Sequence, residues 1–199
     1  MNINRRHFLG AIVAGSAGLV SSPAFAAVKS AERPALLSQA MAALDRHSSS
    51  IVQRDLLGIV DFASHSREQR FHLVDIANGR IAQSYLVAHG RGSDPGHSGW
   101  VKRFSNRPGS NASSDGSYVT GQSYYGKHGH SRRLHGLDPS NDLAFDRAIV
   151  LHGAGYVSRD LIGQQGRIGR SLGCFAVQEN KIGEVLDRLG PGSLIFAAK

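Results

Sequence analysis

The apolar positions of this chain follow two unlike rhythms. Between Ala35 and His47, residues Leu36, Leu37, Ala40, Met41 and Leu44 recur at helical spacing, with Pro34 suited to a first turn. This predicts an amphipathic helix ended by Ser48-Ser49-Ser50. Beyond it the apolar runs shorten to strand length, over 57–62 and 70–76. Asn78-Gly79 then reads as a hairpin turn, with 80–89 as the return strand. Further strands are predicted over 118–125, 132–137, 148–152 and 194–197. A second helical rhythm, Ile182, Val185, Leu186 and Leu189, starts near Glu179 and is stopped by Gly190-Pro191. Two stretches carry no rhythm: 90–116, rich in Gly, Ser, Asn and Pro, and the glycine-rich 153–170. A loop as long as the first, inside a compact domain, is usually functional or disordered. With no internal repeat and no linker, the pattern predicts one mainly β domain of the α+β class, with a helix near each end.

Composition adds bounds. The chain has 199 residues, 41% of them hydrophobic and 19% charged, which excludes a disordered tail and a polytopic membrane protein. The net charge of +8 suits an acidic partner such as an anionic wall polymer, a membrane surface or nucleic acid. The first 26 residues read as an address. Arg5-Arg6 precede an apolar stretch from Phe8 to Val20, too short to span a bilayer, and Ala24-Phe25-Ala26 makes a small-residue cleavage site. The arginine pair followed by Phe8-Leu9 resembles a twin-arginine signal, so the expected location is the periplasm. Cleavage removes two arginines and no acid, so the remainder stays basic and has no integral membrane span. Export, and the lack of any recognised motif, argue against nucleic acid. The expected division is 1–26 leader, 27–54 helical segment and 55–199 catalytic domain.

A single cysteine, Cys174, then stands out, because an unpaired thiol in an oxidising compartment is either bridged to another chain or kept for chemistry. It lies in Gly169-Arg170-Ser171-Leu172-Gly173-Cys174-Phe175, a small-residue turn before an apolar segment. Upstream, Ala148-Ile149-Val150-Leu151-His152-Gly153 is a buried-looking strand ending in histidine. A thiol nucleophile needs a base and an oxyanion site. His152 is the candidate base. Gly173 lets the backbone approach a substrate carbonyl, and the Gly173 and Cys174 amides are candidate oxyanion donors. Arg170 is expected to favour the thiolate by charge, and Ser171 to shape the site. Taken singly, Cys174 reads as a small buried hydrophobe and His152 as a satisfied strand-end histidine.

Together these segments resemble the L,D-transpeptidase catalytic domain, the YkuD-like family, whose signature is a strand histidine, a spacer and Ser/Thr-His-Gly-Cys. The counterparts are His152 and Ser171-Leu172-Gly173-Cys174. A divergent branch of murein L,D-transpeptidases shares more: Val60-Asp61-Phe62, Ala88-His89-Gly90, Phe104-Ser105-Asn106, Ser113-Ser114, Tyr124-Tyr125-Gly126 and Gly169-Arg170-Ser171. The resemblance covers roughly Asp55 to Lys199. It implies a β-sandwich or barrel with an N-terminal and a C-terminal helix, and acyl transfer on peptidoglycan tetrapeptide stems through a Cys174 thioester. It further implies His152 as base, oriented by the Gly153 carbonyl, no metal or organic cofactor, and inhibition by carbapenems. Leu172 departs from the usual histidine and Ala176 from a frequent asparagine, and the spacer of 18 residues is slightly long.

Other residues compete for roles. His89 ends a strand in Ala-His-Gly much as His152 does, and Ser113 and Ser114 lie in the long loop, so His89 and Ser114 are candidates for substrate contact beside Arg170. Tyr124 and Tyr125 alternate across a strand, so one of the two can face a cleft. His128-x-His130, with His135 behind, has a spacing that suits zinc on one strand face and so offers a zinc-peptidase alternative. The basic segment Lys127–Arg133 reads better as a solvated turn. A non-enzymatic alternative is a catalytically silent module held on the anionic wall by charge.

Overall fold

The computed structural model describes residues 34–199. The expected leader, its cleavage site and residues 27–33 of the helical segment lie outside the described residues.

Eight strands form one mixed sheet: β1 (Leu56–Asp61), β2 (Phe71–Asp75), β3 (Arg80–Tyr85), β4 (Gly116–Gly126), β5 (Gly129–Gly136), β6 (Val150–Gly153), β7 (Phe175–Val177) and β8 (Leu194–Ala198), with spatial order β3-β2-β1-β8-β4-β5-β6-β7. β1 with β8 and β6 with β7 are parallel; the other neighbours are antiparallel. The central strand β8 reads Leu-Ile-Phe-Ala-Ala without polar alternation because both its faces are covered. Ile195 and Ala197 join a core cluster that draws residues from all eight strands, among them Val60, Leu73, Tyr85, Tyr118, Leu134, Leu151 and Phe175. Leu194 and Phe196 point the other way, onto α1 (Leu37–Arg46).

A flat sheet could not place all eight strands around one cluster. Curling is completed by the chain leaving β3, where the Ala88 amide donates to the Ala176 carbonyl at 2.8 Å and so ties one sheet edge to β7 at the other. This matches the expected sandwich or barrel. The two expected helices are present: α1 buries Ala40, Ala43 and Leu44, and α3 (Ile182–Arg188) buries Val185 and Leu186 under the same cluster as β7. Among the described residues no helix is long and apolar enough to cross a membrane.

Two expectations need correction. The β2–β3 connection is not a two-residue turn, since the register pairs Asp75 with Arg80. Asp75 organises four intervening residues, accepting from the Ala77 amide at 2.8 Å and the Asn78 side chain at 2.8 Å, and Gly79 supplies the positive φ of 67°. The 153–170 stretch is not all loop, because α2 (Arg159–Gln165) lies within it. None of its residues is buried, so it has no apolar stripe to betray it. Its signals are terminal: Ser158 accepts from the Leu161 amide at 3.2 Å, Asp160 sits in the first turn, and Gly166 closes it in the left-handed conformation.

The long loop is packed rather than loose. The Gly92 amide donates to Asn111 O, Lys102 to Ser93 O and Ser105 to Ser113 O, each within 3.0 Å. Below it lies a buried polar chain. Arg70, 1% exposed, donates to the carbonyls of Val87 and Ser64 and to His89 Nδ1 at 2.7 Å, and lies 5.0 Å from the Phe62 ring centre. Because a guanidinium can only donate, His89 Nδ1 accepts, and Nε2 carries the proton toward Asp94 Oδ2 at 3.4 Å. Burial, then the neighbouring Arg70, pushes the His89 imidazole down to about 3. Burial also lowers Arg70, to about 9, against the pull of Asp61 and Asp94. Replacing Arg70 with Leu strands two buried carbonyls and the His89 nitrogen. The expected loss is about 3 kcal/mol of unfolding free energy, in the range for removing one member of a buried charged network. Urea titration of Arg70→Leu checks it.

Candidate active site

The parallel pair β6–β7 sets the site. Its register matches Leu151 with Phe175 and His152 with Ala176. Leu151 and Phe175 enter the core cluster, so by alternation His152 and Ala176 take the opposite face, together with Val150 and with Cys174 just before β7. Cys174 and His152 accordingly line one cleft of about 340 Å³, shared with Tyr124, Lys127, His128, Arg147, Tyr156, Arg170, Ser171 and Leu172. Three of these carry fixed cations, and no carboxylate lines this cleft.

His152 is 2% exposed and its Nδ1 lies 2.8 Å from the Gly153 carbonyl. A carbonyl oxygen can only accept, so Nδ1 carries the proton and Nε2 is left with its lone pair. Gly153 permits this fit: a Cβ there would meet Glu179 Cα and Ile182 Cγ2, each at 3.1 Å. Burial keeps the His152 imidazolium below the ordinary histidine range, with His128 and Lys127 acting in the same direction and the Gly153 carbonyl opposing.

The Cys174 turn is fixed by Ser171. Its hydroxyl donates to the Cys174 carbonyl at 2.7 Å and accepts from the Gly173 amide at 3.1 Å. The segment is fastened to the rest of the fold by Ser171 N to His89 O at 2.9 Å, Arg91 N to Ser171 O at 2.8 Å and Ser113 Oγ to Gly173 O at 3.3 Å. Gly173 has φ of 119°, and a Cβ would meet Ala112 O at 2.8 Å. The Cys174 thiol points at the Ala148 carbonyl, 3.6 Å away, and Ala148 itself is held at φ of 53°. Such a backbone is uncommon for a residue with a Cβ. Burial pushes the Cys174 thiol up; the Val150 amide, Lys127, Arg147 and its own amide pull it back without cancelling the effect.

These details correct several expectations. Arg170 lines the cleft, but its guanidinium donates to the carbonyls of Asp94 and Pro95; the cations that favour the thiolate are Lys127 and Arg147. The Gly173 amide, expected as an oxyanion donor, is committed to Ser171 Oγ. His89 does not reach the cleft. It is fully buried, with both ring nitrogens engaged, and supports the Cys174 turn through its backbone carbonyl. Ser114 is buried too, bonded to the Tyr118 hydroxyl at 2.8 Å and accepting from Arg147 at 3.3 Å, so it braces a cleft residue without lining the cleft. Of the tyrosine pair, Tyr124 faces the cleft, while Tyr125 stacks outside on His130 at 4.7 Å.

The histidine pair divides in the same way, with His128 stacked on His152 at 4.3 Å, away from the His130 ring partner. His135 stacks on Phe145 at 4.6 Å, so the three rings have three separate partners. Among the described residues no group of three or more His, Cys, Asp or Glu is arranged to hold a metal ion. The zinc alternative therefore lacks a ligand set there.

Lys127, Arg147 and Tyr156 line the cleft without having been singled out from the sequence, and His128 lines it although its spacing had suggested only a zinc ligand. Lys127 and His128 sit in the β4–β5 turn, where a basic tip looks like ordinary solvated surface. Arg147 holds Ser105 O at 2.8 Å as well as Ala112 O, and so ties the long loop to the cleft wall.

Over residues 29–198 the sequence matches the family described as L,D-transpeptidase catalytic domain. The chain belongs to this family. Solved L,D-transpeptidases resemble it in structure at low identity. One from Mycobacterium smegmatis is 13% identical, with 73% of this chain and 59% of that chain covered and a TM-score of 0.46. L,D-transpeptidase 3 from Mycobacterium tuberculosis, in complex with a faropenem-derived adduct, is 10% identical, with 73% and 60% covered and a TM-score of 0.47. The L,D-transpeptidase from Xylanimonas cellulosilytica is 16% identical, with 80% and 69% covered and a TM-score of 0.43. This chain spans about three-fifths of the length of the first two. No curated protein matches the chain.

Two outcomes follow from this geometry. Lowered His152 and raised Cys174 leave both groups neutral around pH 7, and a reaction that needs this neutral pair would lose the imidazole lone pair only at low pH and the thiol proton only at high pH. The kcat/KM profile is expected to be a broad bell, its acid limb below the ordinary histidine value and its alkaline limb above the ordinary thiol value; initial rates from pH 4 to 11 check this. Gly173→Ala forces a Cβ against Ala112 O, and it is expected to slow alkylation of Cys174 by iodoacetamide about tenfold or more, since a displaced turn misplaces the sulfur.

Proposed function

We propose that this chain is a cysteine acyltransferase acting on peptidoglycan tetrapeptide stems. The observation that carries the reading is the shared face of β6 and β7: a thiol and an imidazole with a free Nε2 open into one cationic cleft. Cys174 Sγ attacks the carbonyl at the L-centre of the diaminopimelate residue while His152 Nε2 takes the thiol proton. The Cys174 amide donates to the oxyanion. On collapse the C–N bond to D-alanine breaks, and the imidazolium returns its proton to the leaving amine, giving a thioester. An acceptor amine then forms the cross-link, or water releases the tripeptide; in either case the sulfur leaves with a proton.

The cleft's charge supports this substrate class. A tetrapeptide stem carries several carboxylates, and Lys127, Arg147 and Arg170 offer it cations with no lining acid to oppose them. Membership of the family supports the acyl transfer and the wall substrate. The same reading takes residues 1–26 as a twin-arginine leader removed after Ala26 and assigns the remainder to the periplasm.

Incubation with disaccharide-tetrapeptide followed by mass spectrometry tests the proposal. The expected result is release of D-alanine and a mass gain on Cys174 equal to the acyl-tripeptide moiety, absent in Cys174→Ala and reduced at least about a hundredfold in His152→Ala, the usual scale for a lost general base. A folded wild-type protein that gives neither adduct nor D-alanine overturns the reading in favour of a silent wall-binding module.

A further inference from the structure

The β4–β5 turn does more than connect two strands. Its tip, Gly126 to Gly129, carries Lys127 and His128, and His128 lies over the imidazole of His152 with ring centres 4.3 Å apart and planes inclined by 24°. His128 is exposed to solvent, whereas His152 beneath it is 2% exposed. The ring is also a partition. His128, Lys127 and Tyr156 line the cleft that holds Cys174, and the same three line a second cavity of about 380 Å³ that reaches Gly153 and Glu179. Take the ring away and water in the second cavity gains a path to the face of His152.

We propose that His128 is a positioning residue whose stacked ring seals His152 from water and so keeps it an unprotonated base. The role rests on the reading of His152 as the base, but the cover itself is a geometric relation between two rings. Stacking fixes the imidazole plane from one side, as the Gly153 carbonyl fixes its edge. Excluding water penalises the imidazolium, and positive charge on His128 or Lys127 penalises it further. The other titratable groups facing this part of the cleft are Tyr124 on β4, Arg147 before β6, Tyr156 and Arg170 on the connection to β7, and Cys174, with Glu179 across the second cavity. Glu179 is the one acid among them, and the partition stands between it and the Cys174 cleft.

The test compares His128→Ala with His128→Phe by imidazole NMR titration, with circular dichroism confirming that both variants fold. Alanine opens the partition and removes the second imidazole, so the His152 midpoint is expected to rise by about one unit, a usual size for relieved burial. The acid limb of Cys174 alkylation should rise with it, slowing alkylation below the midpoint about tenfold. Phenylalanine keeps the cover without the imidazole nitrogens, so the midpoint is expected to stay below the ordinary histidine value. An unchanged midpoint in His128→Ala, or a rise in His128→Phe equal to that in His128→Ala, overturns the proposal. The NMR midpoint reads the imidazole whether or not any stem peptide is turned over, so its failure is separable from a failed acyl-transfer assay.

Discussion

The register between β6 and β7 is the constraint on which the site depends. Side chains alternate along a strand, so a slip of one residue would send either His152 or Cys174 into the core and bring Leu151 or Phe175 out. The slip is opposed from both directions. Leu151 and Phe175 are fully buried in the cluster that all eight strands share, and exposing either would forfeit about 2 kcal/mol or more. The Ala88–Ala176 bridge locks the same strand from its outer edge. Hydrophobic packing on one face thereby fixes the chemistry on the other.

Given that register, the surroundings decide which protonation states meet. A thiol and an imidazole in one cleft can rest as a neutral pair or as an ion pair. Burial disfavours both charged forms, and here it outweighs the nearby cations at the sulfur. Lys127 helps a thiolate but hinders an imidazolium, so it cannot favour the ion pair as a whole. On the proposed acyl-transfer reading, proton transfer would then be coupled to attack, and the cations would act mainly on an anionic substrate.

Much of this was legible in the sequence, for physical reasons that differ by element. The meeting of Val150-Leu151-His152 with Ser171-Leu172-Gly173-Cys174 in one cleft was legible because an imidazole at a strand end and a thiol after a glycine are residue types that rarely occur together by packing alone. β8 and α3 were readable because burial imposes a period. His89 misled because its context, Ala-His-Gly at a strand end, is locally the same as that of a catalytic histidine. What separates the two is the partner each finds through the fold, and Arg70 is 19 residues away. Ser114 misled in a similar way, since a serine in a long polar loop gives no sign that a tyrosine hydroxyl and an arginine enclose it. α2 escaped because none of its side chains is buried.

The residues that the sequence did not place in the cleft share one property: they reach it from segments whose local sequence says only surface. Lys127 and His128 come from a hairpin tip, and Arg147 from the turn-rich segment before β6. Leu172 makes the point from the other side. It stands beside Gly173-Cys174, where the family's signature has histidine, yet it is 56% exposed at the cleft rim and supplies no nitrogen. A second imidazole is nevertheless present, delivered by a turn more than forty positions earlier in the chain. Stacked face to face on His152, it is placed to act on that imidazole, whereas a histidine next to Cys174 would be placed to act on the thiol. The cleft thus holds two histidines, but in an arrangement that the spacing of the Ser-Leu-Gly-Cys motif alone does not encode.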